Sequence, residues 1–380
     1  MITEKKFNEV VFETTRQGKK ISFKTGKLAP HCDGAVEITM EGTILLVTAV
    51  MEKKPKPDNS FFPLAIDYRE SYYAAGKIGG GRYRKREGRP SDESVLYCRL
   101  TDRPLRPMFP KGMINDVIIT ISPLQLDMLH SPGELCIIGA SAAIMLAGIP
   151  FEGPLGAIRI GYIDGKYVMN MTDEEAKTSL LDLHVAGTKD KINMIEAAGN
   201  ETPLDLVKEG LRLGQKAIAE LCEIQEKFLS QNKIDHKEYK KNFPSDSFIA
   251  AVKEIITEDK MQALYGDMEK NQWESTYARY AEEVKAGLKD KIADPANERS
   301  EGRVSEGFFV AVKDSIRNKT LSQGSRVDGR TLDQVRQIYC ETDTIPRAHG
   351  SALFWRGDSQ VLSILTLGAP GDAELVDDME

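Results

Sequence analysis

Ten Lys or Arg against four Asp or Glu lie between Lys77 and Lys111, a net +6 in a chain of formal charge −7. The remainder of the chain therefore carries −13. A chain that repels phosphate overall has gathered one electropositive segment to which a phosphate backbone could be steered. Tyr83 sits within Arg82-Tyr83-Arg84-Lys85-Arg86, so a ring face is offered among cations. Cation plus stacking ring is the combination that grips single-stranded nucleic acid without reading its sequence. Gly79 to Gly81 let backbone approach a ligand closely. Arg89, Arg99, Arg103 and Arg106 carry the cluster onward, the last three at spacings of four and three that share a helical face. The competing reading is a solvated basic loop, which the glycines and the long cationic continuation argue against. No GxxxxGK[ST] follows the glycines, so triphosphate hydrolysis has no support.

Other chemistries find little footing. Cys32, Cys98, Cys136, Cys222 and Cys340 are scattered without metal-ligand or redox spacing, and the five histidines are equally dispersed. Free thiols in a reducing, cytoplasmic compartment are the simple reading. The opening MITEKKFNEVVFETT is charged and has no secretory apolar region. Asp372, Glu374, Asp377, Asp378 and Glu380 could suggest a Mg²⁺ site, since clustered carboxylates bind hard cations. No strand pattern positions them, so a solvent-facing segment is the reading taken.

The elements that must position the basic segment follow from periodicity. Ile21 and Phe23, then Val36, Ile38 and Met40, alternate with polar neighbours, and Thr43 to Val50 is a buried run. FPLAIDY and DVIITIS add two further strands. In SPGELCIIGASAAIMLAGIP, Ser131 reads as an N-cap, Pro132 as the first helical residue, Glu134 as a capping-box partner and Gly148 as the stop. Its length and small residues fit a buried core helix rather than a membrane span. Ala157 to Met169 reads as a hairpin about Asp164-Gly165, with strands near 181–186 and 192–196 after it. From Thr202-Pro203 a long helix carries Leu204, Val207, Leu211, Ile218, Leu221 and Phe228 on one stripe. Residues 232–300 are Lys-, Glu- and Ala-rich with helical patterns such as FIAAVKEIITEDKMQALYG; Trp273, Tyr277 and Tyr280 fall at helical spacing and read as core packing. Val304 to Arg317 adds an amphipathic helix.

Residues 325–380 then restart the opening pattern about 315 residues on. Gly34-Ala35 through Thr43-Ile44-Leu45-Leu46-Val47-Thr48 corresponds to Gly350-Ser351 through Ser359-Gln360-Val361-Leu362-Ser363-Ile364, aligned with a one-residue gap. So long a period means a duplicated domain rather than a solenoid. The division expected is 1–231, a helical 232–320, and 321–380 as the start of a second copy, an α+β architecture. The repeated strands would leave an open sheet edge.

FPLAIDYRESYYAAGKIGG followed by REGRPSDESVLYCRLTDRPLRPMFP closely resembles the first core of the bacterial polynucleotide phosphorylase family. Arg326-x-Asp328-Gly329-Arg330 and HGSALFWRGDSQ resemble strings that open its second core. The resemblance covers nearly the whole chain. It implies a ribonuclease-PH-like core, an all-helical linker and the beginning of a second such core. It further implies phosphorolytic 3′-to-5′ degradation of RNA, with inorganic phosphate as co-substrate, Mg²⁺ as cofactor and nucleoside diphosphates as products. A homotrimeric ring, a cytoplasmic location without membrane attachment and participation in an RNA-degradation complex are implied as well. The loop before EGRPS lines the ring entrance in that family and holds RNA through phenylalanines and arginines. Here GGGRYRKR departs, with one aromatic and one extra residue. RNA contact is therefore expected at Tyr83, Arg84, Lys85, Arg86, Arg89, Arg103 and Arg106. Catalytic residues and metal ligands are expected beyond Glu380, with none in this chain. An alternative is an RNA-binding piece without an active centre.

Overall fold

The computed structural model describes residues 7–16, 19–54, 61–78, 90–239, 241–266, 268–288 and 301–372. The chain divides into two compact units, one reaching Asn242 and the other beginning at Phe243.

In the first unit, β1 (Val10–Arg16), β2 (Lys19–Thr25), β3 (Gly34–Met40), β4 (Thr43–Met51), β5 (Leu64–Tyr68) and β6 (Val117–Gln125) form one sheet, ordered β1-β2-β3-β4-β6-β5. All pairs are antiparallel except β5 with β6. Period-two alternation sends Ile21, Phe23, Val36, Ile38, Leu45 and Val47 to the buried face. Helix α1 (Asp92–Leu105) flanks this sheet, and α2 (Gly133–Leu146) lies behind it. Every residue of α2 from Gly133 to Ile144 is buried, as an apolar surface on all sides requires. A Cβ on Gly139 would come within 2.8 Å of Val47, so glycine permits the close approach of helix and sheet.

A second sheet of order β10-β9-β7-β8 comprises β7 (Gly156–Ile163), β8 (Lys166–Met169), β9 (Leu181–Gly187) and β10 (Ile192–Gly199). The β7–β8 turn has Asp164 and Gly165 both at positive φ, as a type I′ turn demands. Between β8 and β9, α3 (Asp173–Thr178) starts on a capping box formed by Thr172 and Glu175. The long helix α4 (Leu204–Leu229) covers this sheet. Its buried stripe runs through Gly210, Gly214, Ala217, Ile218, Leu221 and Phe228, whereas Leu204 is two-thirds exposed. The glycines at 210 and 214 allow the helix onto Leu183, Ile160 and Val185. Residues 230–239 continue along this unit, with the Lys237 amide donating to the Gly148 carbonyl, and the Asn242 amide donates to that of Gly112.

The expected cap of α2 is corrected. Pro132, not Ser131, is its N-cap, with no side-chain capping bond. Glu134 is not a capping partner but faces the second sheet, where a cation claims it. Gly148 does adopt positive φ just past the helix, where the chain turns away.

The second unit contains α5 (Asp246–Ile255), α6 (Glu258–Gln262), α7 (Lys270–Gly287) and α8 (Glu301–Gln323), then β11 (Ile338–Thr342), β12 (Gly350–Arg356) and β13 (Ser359–Leu365). The pattern across 248–266 is broken at Ile256, whose φ −100° and ψ 88° end α5 before Thr257 opens α6. Trp273 stacks on Tyr277, which packs on Phe308, and the Trp273 indole N–H donates to the Leu264 carbonyl. Tyr280 is buried in the same cluster. These aromatics build a core.

Strands β11, β12 and β13 pair antiparallel in that order. Gly34 pairs with Ala49 and Met40 with Thr43; 316 residues later Gly350 pairs with Leu365 and Arg356 with Ser359. Each hairpin closes on two residues, Glu41-Gly42 or Gly357-Asp358, the first at positive φ in both. The two copies therefore align without the one-residue gap that the sequence pattern suggested.

Candidate nucleic-acid interface

Residues 79–89, which hold Tyr83, Arg84, Lys85, Arg86 and Arg89, lie outside the described residues. The segment resumes at the start of α1, whose position is tightly set. Ser91 caps the helix by accepting from the Ser94 amide at 3.0 Å, and Glu70 accepts from both the hydroxyl and the amide of Ser91. Ser94 Oγ donates to the Tyr68 carbonyl at 2.8 Å, while the Tyr68 amide donates to Cys98 Sγ at 3.2 Å. These bonds stitch the first half of α1 to the end of β5. Burial pushes the Cys98 thiol above its usual range, which does not favour a thiolate nucleophile.

The other side of α1 faces solvent. Ile66, Cys98, Arg99, Asp102 and Arg103 line a depression of about 200 Å³. Arg99 is exposed there, and its side chain makes no hydrogen bond or ion pair among the described residues. Arg103 donates to Glu196 of β10 at 2.6 Å, both side chains being about half exposed. Arg106 forks onto both Asp102 oxygens at 2.9 and 2.7 Å and donates to the carbonyls of Phe62 and Leu64. The helix thus brings Arg99 and Arg103 to one depression. It commits the Arg106 guanidinium to holding the end of α1 against the start of β5 and the residues just before it. Arg99 is the readiest cation of the three, and Arg103 must exchange one anion for another to meet a phosphate.

Sequence reasoning missed a second charged group, on the second sheet. On neighbouring β7 and β9, Arg159 forks onto Asp182 at 2.9 and 2.8 Å and also reaches Asp173 at 2.5 Å. His184 sits between Glu134 of α2 at 2.5 Å and Asp182 at 3.3 Å. Burial alone would lower the His184 pKa, but the two carboxylates outweigh it and push it up to about 10. Burial would raise that of Asp182, yet His184 and Arg159 hold it well below the usual carboxylate range. Three carboxylates and two cations are thus fixed where α2, α3 and the second sheet meet. Asp182 and His184 alternate with the buried Leu181, Leu183 and Val185, and Arg159 lies between Ile158 and Ile160, so period-two reading assigns all three to a polar face and gives no signal of the group.

Among the described residues no group of three or more His, Cys, Asp or Glu is placed to hold a metal ion. The carboxylates of this charged group, Asp173, Asp182 and Glu134, are paired with Arg159 and His184. Among the same residues, no helix is long and apolar enough to cross a membrane.

Comparison with known proteins is decisive about kinship. Residues 17–150 match the model of the 3′ exoribonuclease family, domain 1, and residues 153–217 match domain 2 of that family. This chain belongs to the 3′ exoribonuclease family. Both matches fall within the first unit, the first running from β2 to just past α2 and the second from β7 to the middle of α4. A polyribonucleotide nucleotidyltransferase of Chloroflexus aggregans is 40% identical over 370 residues, 95% of this chain and 48% of the relative. Those of Roseiflexus sp. and Staphylococcus aureus are each 39% identical, covering 100% and 97% of this chain and 50% and 52% of their own length. The chain spans about half the length of the curated relatives it matches. The fold is that of a ribonuclease-PH-like core joined to a helical part.

Proposed function

We propose that the chain serves phosphate-dependent 3′-to-5′ degradation of single-stranded RNA, with Lys77 to Lys111 as its sequence-blind grip. The reading is carried by one conjunction: a strongly basic segment within a chain resembling polyribonucleotide nucleotidyltransferases over 95% of its length. In the reaction an oxygen of inorganic phosphate forms a bond to the terminal phosphodiester phosphorus. The bond from that phosphorus to the 3′ oxygen of the preceding nucleotide breaks, and that oxygen takes up a proton. A nucleoside diphosphate departs, and the reverse reaction extends RNA from diphosphates.

Such transfer needs no covalent enzyme intermediate. It needs polyanions brought together and their charge neutralised in line. Arg84, Lys85, Arg86 and Arg89 provide cationic contact, Tyr83 a stacking face, and Arg99 with Arg103 a continuation along α1. Arg106 contributes by fixing the end of that helix. Mg²⁺ would neutralise charge in the transfer, but the described residues offer no ligand set for it, and no step is derived through it. Catalytic residues are not placed in this chain. The division into 1–231, 232–320 and 321–380, a homotrimeric ring, a cytoplasmic location and membership of an RNA-degradation complex belong to the same proposal.

The test mixes the chain with oligoadenylate, inorganic phosphate and Mg²⁺ and follows binding and ADP release in parallel. RNA binding that weakens with salt supports the grip, and phosphate-dependent ADP release would place catalysis in this chain. Failure to bind sinks the reading. Replacing Arg84, Lys85, Arg86 and Arg89 together with Ala should weaken binding alike for different RNA sequences. The salt slope should flatten by roughly 0.7 for each phosphate that is no longer neutralised. An unchanged slope would remove these residues from the interface.

A further inference from the structure

The sheet β11–β12–β13 carries an aromatic groove, whereas its counterpart in the first unit has only a small pocket of about 10 Å³ among Lys24, Glu37, Ala35 and Leu46. Tyr339 pairs with Trp355 and Glu341 with Leu353, at the register where Ser22 pairs with Thr39 and Lys24 with Glu37. The same three-strand arrangement therefore forms with small or charged residues at these positions, and its folding does not require the aromatic pair. Tyr339 and Trp355 are nonetheless 53% and 42% exposed. With Leu353, Gln337 and Gly357 they line a groove of about 400 Å³, within the size range of small-ligand sites.

The groove has polar parts as well as rings. The Tyr339 hydroxyl donates to Glu341 at 2.8 Å, which fixes the orientation of its ring. The Gly357 amide donates to the Gln337 carbonyl at 3.0 Å and anchors the end of the groove. The Gln337 carboxamide makes no hydrogen bond among the described residues and is exposed. The Arg336 stem lies so close to Gly357 that a Cβ there would come within 2.8 Å of it, which brings a cation to the rim.

We propose that this groove binds a nucleobase of single-stranded RNA between Trp355 and Tyr339, with Gln337 reading the base edge and Arg336 near the adjoining phosphate. Rings supply sequence-tolerant stacking, and a carboxamide offers both a donor and an acceptor to a base edge. The proposal rests on the RNA-handling reading above and adds to it a second contact, made to bases rather than to the backbone.

The experiment compares the full chain with Trp355→Thr and Tyr339→Ser, each installing the residue that the first copy carries at that register. Anisotropy of a labelled oligoadenylate should show affinity falling about fivefold or more for each variant. The salt slope should not change, because both variants keep every cation that faces phosphate. An abasic oligomer of equal length should bind all three alike, and Tyr339→Phe, which keeps the ring, should stay within about twofold of the unaltered chain. Equal oligoadenylate affinity across the set would overturn the proposal. So would a concentration-dependent dimer of the unaltered chain that Trp355→Thr abolishes, since the groove would then be a protein interface. If the unaltered chain binds no oligoadenylate, the broader reading fails, and quenching of tryptophan fluorescence by free adenosine still decides the groove. Quenching lost in Trp355→Thr supports a base site; its absence in the unaltered chain rules one out.

Discussion

The strands β2–β3–β4 and β11–β12–β13 share register, turn length and turn conformation, yet their surroundings differ. In the first copy Phe23, Val36, Ile38, Leu45 and Val47 are wholly buried in a core shared with α2 and α4, and β4 is paired along both edges, with β3 and β6. In the second, the equivalent positions Cys340, Ala352, Phe354, Val361 and Ser363 are exposed or only partly buried, and among the described residues β13 pairs with β12 alone. Strand pairing and the two-residue turn are thus fixed locally by alternation and by backbone able to take positive φ. Burial is supplied from distant sequence, and burial provides most of the stabilisation.

Paired substitutions at one register position should expose that difference most strongly. Phe23 is fully buried and stacked on Phe228 with ring centroids 5.2 Å apart. Phe23→Ala should cost about 3–5 kcal/mol of unfolding free energy, read by denaturant titration. Cys340→Ala, its counterpart on an exposed strand, should stay within about 0.5 kcal/mol. A large cost at Cys340 would mean that the second sheet is covered in solution, and the contrast between the copies would collapse.

The ion group at His184 ties α2, the lid of the first copy, to the second sheet. His184→Gln leaves Glu134 and Asp182 facing one another without their shared cation, and should cost about 3 kcal/mol. Because the folded His184 pKa is raised to about 10, its contribution is fully present below the unfolded value near 6.5. It is lost as pH rises through about 10. Chemical denaturation from pH 6 to 10.5 should show stability declining in the unaltered chain, with a flatter profile in His184→Gln. Parallel profiles would remove His184 as the cause. Hydrogen exchange sharpens the comparison further, since amides of β4 should exchange more slowly than those of β13.

How legible all this was in the sequence follows the same division between local and distant causes. The strands, the Asp164-Gly165 turn and the buried helix are written in alternation, turn chemistry and apolar length, and the structure has them within a few residues. The cap of α2 was misread because Ser131 and Glu134 satisfy a local motif, while a histidine 50 residues away in β9 holds the carboxylate. The one-residue gap between the copies arose from matching residue types where backbone pairing, which tolerates their exchange, sets the alignment. The basic segment was visible from charge alone. Which of its arginines are already engaged was not, because Glu196 and the carbonyls of Phe62 and Leu64 are brought to them only by the fold.

The smallest expected effect lies on the outward face, where the copies differ in chemistry rather than burial. Lys24 donates to Glu37 at 2.8 Å across β2 and β3, their side chains 35% and 19% exposed. The hydrogen bond to Glu37 raises the Lys24 pKa. At this register the second copy has Glu341 opposite Leu353. Glu37→Leu in the first copy removes an opposed pair of the cross-strand kind, worth about 0.2–1 kcal/mol on a partly exposed face. The leucine adds apolar area that offsets part of that loss. Stability should therefore fall by less than about 1 kcal/mol, and the deficit should shrink as salt screens the pair in the unaltered chain. A deficit that persisted at high salt would show packing, not charge, at work on this face. The exchange of charge for apolar surface in the second copy would then need a steric explanation instead of an electrostatic one.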